Sequence, residues 1–138
     1  MTTIRNPARM SQLLDFGGLK FGKCSPTDID MSMDWQGKTF VFVEVKMKGV
    51  GLTRGQSIHL KYLVNAIVAS GREAYAVYCT HDVLDTKEPV ILAQAKVQLL
   101  YKGGPKWHTE WHGSTLDKVL TELYTAHCTT HNIDSGEK

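Results

Sequence analysis

The sequence predicts a single mixed α/β domain, and three observations predict it. The chain has 138 residues, about one domain's worth, and is 42% hydrophobic and 22% charged with 12 Gly and 4 Pro, the make-up of a protein with a packed core. Residues 27–46 alternate apolar with polar and then run β-branched and aromatic beyond a glycine turn, the pattern of a hairpin. Residues 53–70 carry apolar side chains at helical spacing and lead directly into another apolar strand, so strands and helices intermix as in layered α/β folds.

Taken in order, Asn6 and Pro7 ahead of Met10, Leu13 and Leu14 predict a short opening helix, with Asn as N-cap and Pro at N1, stopped by Gly17-Gly18. From Thr27, Ile29, Met31 and Met33 alternate with Asp28, Asp30, Ser32 and Asp34, a strand of period two. Residues 34–38 (DWQGK) supply a turn in which Gly37 can take positive φ, and residues 39–46 (TFVFVEVK) return as the second strand. That strand is apolar on both faces until Glu44, which predicts a central position in a sheet covered on both sides.

A glycine-punctuated loop, Gly49-Val50-Gly51, precedes the helix over 53–70, whose Ile58, Tyr62, Leu63, Ala66 and Ile67 line one stripe before Gly71 ends it. Residues 74–79 (AYAVYC) read as a buried strand, and the apolar run 90–101 as another, broken by Gly103-Gly104-Pro105. Ser114 as N-cap with Asp117 in capping-box position opens a final helix over about 114–128, with Leu116, Val119, Leu120 and Leu123 on one face. The tail after His127 is expected to fray.

Cys24, Cys79 and Cys128 are odd in number and widely spaced, which excludes a disulfide framework and a zinc knuckle and predicts reduced thiols. The longest uncharged apolar run, residues 62–70, is far short of a membrane span, and the first residues lack an apolar stretch behind a basic start. An intracellular, cytoplasmic protein with no membrane partner is the expectation. P-loop and G-x-S-x-G spacings are missing, so ATP hydrolysis and serine-hydrolase chemistry have no support. A net charge of +2 is small, but residues 1–69 hold nine basic side chains against five acidic ones, which allows a polyanion surface surrounding a few carboxylates.

Those carboxylates carry the chemistry. Period two puts Glu44 and Lys46 on one face of the second hairpin strand and Asp28 and Asp30 on one face of the first, where the turn brings them roughly opposite. A Glu and a Lys inside a run of Val and Phe are costly to bury without partners or a metal. Carboxylate oxygens with a backbone carbonyl make a hard, oxygen-only site suited to Mg²⁺ or Mn²⁺, and a neighbouring lysine can position or help deprotonate an attacking water. Lys48 and Arg54 stand near those carboxylates in sequence and can hold the phosphates of a polyanion, with a solvated surface as the plain alternative, and Lys61 less so.

The ordered set of residues 25–30 (SPTDID), 42–46 (FVEVK) and Gly55-Gln56 resembles the PD-(D/E)XK nuclease superfamily over residues 24–80. The resemblance implies a restriction-endonuclease-like fold, a mixed β-sheet core flanked by helices in αβββαβ order, with residues 1–138 as one domain. It implies that Asp28 and Glu44 hold the metal, that Lys46 serves the water, that Gln56 supports the site, and that Val45 offers its carbonyl. Asp28 follows Pro26 one residue later than the family pattern, so Asp30 stands beside it as neighbour or substitute. The implied activity is Mg²⁺-dependent (or Mn²⁺-dependent) endonucleolytic cleavage of DNA, on branched DNA by analogy, by a homodimer such as a small phage nuclease or junction resolvase. The alternatives are a non-catalytic nucleic-acid-binding or interaction protein of the same fold, and a nuclease subunit needing a larger protein partner. Trp107, His108, Trp111 and His112 read first as surface aromatics against the last helix, and His81-Asp82 and His59 as structural.

Overall fold

The strand-forming residues of 31–47 fold back on themselves where two successive residues accept left-handed backbone, Gln36 at φ 60° and Gly37 at φ 66°. The computed structural model, which describes residues 12–134, pairs β1 (Met31–Trp35) antiparallel with β2 (Thr39–Met47), Met31 opposite Val43 and Trp35 opposite Thr39. Lys38 N–H closes the turn on the Trp35 carbonyl at 3.1 Å. Two positive φ angles give the turn the twist that hairpin strands need, at a cost of about 1 kcal/mol for the non-glycine Gln36.

Helix α1 (Arg54–Ala69) carries the chain back so that β3 (Glu73–His81) lies parallel to β2, Thr39 opposite Glu73 and Met47 opposite His81. β4 (Lys96–Tyr101) is antiparallel to β3, and α2 (Leu116–His131) closes the described chain. The sheet order is β1-β2-β3-β4. Alternate side chains separate two cores. Val41, Val43, Val77, Cys79, Val97 and Leu100 pack with Leu116, Val119 and Leu123 of α2. Phe40, Phe42, Ala74, Ala76 and Tyr101 pack with Leu60 and Val64 of α1. β2 is thus central and covered on both faces, as its apolar run predicts.

Several boundaries differ from the sequence expectation. The first part of the expected opening helix lies outside the described residues, and residues 12–16 are not helical. Two strands precede α1 among the described residues, not the three of an αβββαβ order. The run 90–101 is strand only from Lys96, because Lys96 pairs with Thr80 and β3 ends one residue later; Leu92–Gln94 form a 3₁₀ turn instead. Thr115, not Ser114, caps α2, accepting from Lys118 N–H at 3.3 Å, since the Ser114 carbonyl is engaged by Val97 N–H at 2.8 Å. Asp117 accordingly sits in the first turn, where its charge suits the helix dipole. The helix does not fray at His127: it runs to His131 and ends at Asn132 in left-handed conformation, its last turns anchored by His127 and Cys128, 1% and 3% exposed. Among the described residues no helix is long and apolar enough to cross a membrane.

Candidate functional site

β1 stops at the Met31–Val43 pair, so β2 continues past it with an open edge from Glu44 onward. Asp30, the residue before β1, fills that edge. Its backbone N–H donates to Glu44 Oε1 at 3.2 Å, and its Oδ2 accepts from Val45 N–H at 2.9 Å. Since N–H and C=O of one strand residue point the same way, the Val45 carbonyl also faces the Asp30 side.

Glu44 points to the α1 face and is 3% exposed. Its second oxygen, Oε2, accepts from Gln56 Nε2 at 3.3 Å. Gln56 is held for this by the N-terminus of its own helix: its backbone N–H donates to Thr53 Oγ1 at 3.1 Å, and its Oε1 accepts from Thr53 N–H at 3.2 Å. This reciprocal capping box satisfies two helix-end donors and leaves the amide nitrogen aimed at the carboxylate.

Burial pushes the Glu44 carboxyl up to about 7, and the neighbouring Asp30 charge adds to the rise while Lys46 opposes it. Glu44 is buried and Asp30 exposed, and two carboxylates this close resist ionising together; a divalent cation between them would remove that resistance. Lys46 lies half-buried two residues on, on the same face as Glu44. Cys79, across from Val45 on β3, donates its thiol to the Glu44 carbonyl at 3.7 Å; burial, with the Asp30 and Glu44 charges, pushes that thiol up to about 12.

The structure therefore brings together Asp30, Glu44, Val45, Lys46 and Gln56. Asp28 is exposed and lies three residues ahead of β1, and Asp30 is the carboxylate in contact with Glu44. Lys48 and Arg54 are exposed, Lys48 just past β2 and Arg54 at the first position of α1. A cleft of about 880 Å³ opens at the same end of the sheet, lined by Lys48, Tyr78, Thr80, Lys96, Gln98 and His112 among others. Tyr78 and Thr80 are the strand neighbours of Glu44 and Lys46, so cleft and carboxylates border one another. Tyr78 fixes the cleft wall by donating its hydroxyl to the Val50 carbonyl.

Of the other aromatic and histidine residues, Trp111 Nε1 donates to Glu122 Oε2 of α2 at 3.1 Å, the packing expected of it. His81 Nδ1 accepts from Val83 N–H at 3.1 Å, a local turn contact without Asp82. A second cluster went unforeseen. Glu73, His127 and His131 bring one potential ligand atom each within 4.8 Å of one another at the opposite end of the sheet. The His-x-x-x-His spacing on α2 was its only trace in the sequence, and it gave no hint of Glu73.

No protein-family model matches the chain, nor does any curated protein or solved structure.

Proposed function

We propose that the protein is a metal-dependent nuclease that hydrolyses DNA phosphodiester bonds at the end of β2. The observation that carries this reading is the contact set Asp30–Glu44–Gln56 beside Lys46: a buried glutamate in contact with a second carboxylate, oriented by an amide and flanked by an ammonium. The donors Asp30, Glu44 and the Val45 carbonyl are all hard oxygens, which fits Mg²⁺ or Mn²⁺ and disfavours softer ions. Bound there, such a cation supplies charge neutralisation at the scissile phosphate and acidifies the attacking water.

The chain's own residues supply the rest. Gln56 fixes the Glu44 rotamer, and Asp30 is fixed in turn by Val45 N–H, so the donor set is ordered before substrate arrives. Lys46 orients the attacking water and offsets the negative charge that builds on the phosphoryl oxygens as the bond to water forms and the bond to the leaving sugar oxygen breaks. Lys48 and Arg54 contact flanking phosphates, with Lys96 across the cleft, and that part of the affinity falls with salt.

The test is incubation of the purified protein with supercoiled plasmid, single-stranded DNA and a four-way junction, in Mg²⁺, Mn²⁺ or EDTA, beside the Glu44→Gln and Lys46→Ala variants. Cleavage that requires the cation and disappears in both variants supports the reading and reports the preferred substrate. DNA binding without cleavage in any metal overturns it in favour of a non-catalytic binding protein. Cleavage that survives in both variants would show that the activity belongs elsewhere.

A further inference from the structure

We propose that Glu73, His127 and His131 form a second, separate cation site, taking a borderline divalent ion of the Zn²⁺ class through one carboxylate oxygen and two imidazole nitrogens. The site would tie the last turn of α2 to the start of β3. Zn²⁺ with bonds of about 2.0–2.1 Å to N and O in a tetrahedron needs ligand atoms about 3.3–3.4 Å apart. His131 Nε2 already stands 3.4 Å from Glu73 Oε1. All three ligand atoms lie within 4.8 Å of one another, so the third has at most about 1.4 Å to close. The spacing of four between His127 and His131 puts both rings on one side of the helix, their centroids 4.8 Å apart.

The chemistry of each group also suits a ligand. His131 Nε2 is enclosed by protein and makes no hydrogen bond, despite its nearness to the Glu73 carboxylate. His127 is 1% exposed, and its Nε2 lies 3.4 Å from Gln36 Oε1, a contact that a bound cation would replace. Thr39 provides the supporting shell: its Oγ1 lies 2.6 Å from His127 Nδ1 and donates to Glu73 Oε2 at 3.2 Å, linking two of the three ligands. Trp35 and Tyr124 pack against the His127 ring and fix its plane. Nitrogen-containing donors distinguish this site from the oxygen-only one at Glu44, and Thr39 and Glu44 lie five residues apart along β2, about 16 Å.

The experiment measures Zn²⁺ binding to the full chain by competition with a chromogenic chelator, together with the visible spectrum of the Co²⁺ form and the unfolding temperature with and without Zn²⁺. Wild type, His131→Ala, Glu73→Gln and Glu44→Gln are compared under reductant. The expected result is one saturable Zn²⁺ site that raises the unfolding temperature and gives the intense absorption of tetrahedral Co²⁺. Binding should weaken by about 10²-fold or more in His131→Ala and in Glu73→Gln and stay as in wild type in Glu44→Gln. The His131 and Glu73 side chains are 24% and 37% exposed, so neither change empties the core, and Glu73→Gln keeps the side chain's shape. Wild-type affinity in either of those two variants, loss of the site in Glu44→Gln, or no saturable site at all overturns the proposal.

Discussion

Replacing Glu44 with Gln should stabilise the protein progressively as pH rises. The Glu44 carboxyl holds its proton to about pH 7 in the fold and releases it at about 4.5 when the chain is unfolded. Between those values the folded state binds the proton and the unfolded state does not, so raising the pH through that window favours unfolding. The proton-linked stability is complete below pH 4.5 and gone once pH has passed about 7. At about 1.4 kcal/mol per tenfold change in proton affinity, the rise from 4.5 to about 7 corresponds to about 3 kcal/mol. For a domain of this size that is a shift of roughly 10 °C in unfolding temperature. The glutamine cannot ionise and so escapes the penalty, while giving up one of the two hydrogen bonds that Glu44 accepts, a loss of about 1 kcal/mol independent of pH.

The assay is thermal unfolding of wild type and Glu44→Gln in EDTA from below pH 4.5 to above pH 7. Taking the difference between the two proteins removes His127, whose lowered pKa acts in the opposite direction: the unfolded chain takes up its proton first, so that residue favours folding as pH rises. The difference should climb by roughly 10 °C across the window in favour of the variant. A difference that stays flat would refute the argument that burial and Asp30 keep this carboxyl protonated. Millimolar Mg²⁺ should erase the pH slope of the wild type and leave the variant unchanged.

Further outcomes follow from the same geometry. Asp30→Asn should reduce metal-dependent plasmid cleavage by about 10²-fold or more, whereas Asp28→Asn should leave it close to wild type, because the Asp30 carboxylate, and not that of Asp28, acts on Glu44. His127→Ala should cost about 3 kcal/mol in denaturant unfolding, since it empties a fully buried site and removes the contact between its Nδ1 and Thr39. In the native protein at mildly alkaline pH a thiol reagent should modify Cys24 rapidly, while Cys79, buried and with its thiol raised to about 12, and Cys128, also buried, react only after denaturation.

The hairpin, α1 and the face shared by Glu44 and Lys46 were legible because local rules govern them: period two in the strand, a glycine turn, and helix spacing after a loop; Gln56 entered through the family resemblance alone. The choice between Asp28 and Asp30 was not. Apolar and polar residues alternate without a break from Asp28 to Asp34, and what selects Asp30 is where the β1 ladder ends against Val43, a matter of backbone pairing between strands. The run 90–101 failed for a related reason, since its first half is as apolar as its second but has no strand beside it. Thr39, Glu73 and His127 were further from reach: Thr39 and His127 are 88 residues apart and meet only once α2 docks on the sheet.

The parallel pair β2–β3 explains why two polar clusters coexist in so small a protein without competing. Parallel strands place their carboxyl ends together, and in α/β sheets that end is where loops spread and ligands enter. Here it carries the Glu44 group and, through Tyr78 and Thr80, the wall of the cleft. The amino ends meet at Thr39 and Glu73, where the turn and the last coils of α2 close over the sheet, so polar groups there are shielded and must satisfy one another. One end of β2 therefore borders an open cleft, and at the other the polar groups are closed in against one another. Under the proposed function a cation at Glu44 would come and go with a phosphate, whereas one at Glu73, His127 and His131 would be held by the fold and would hold it in return.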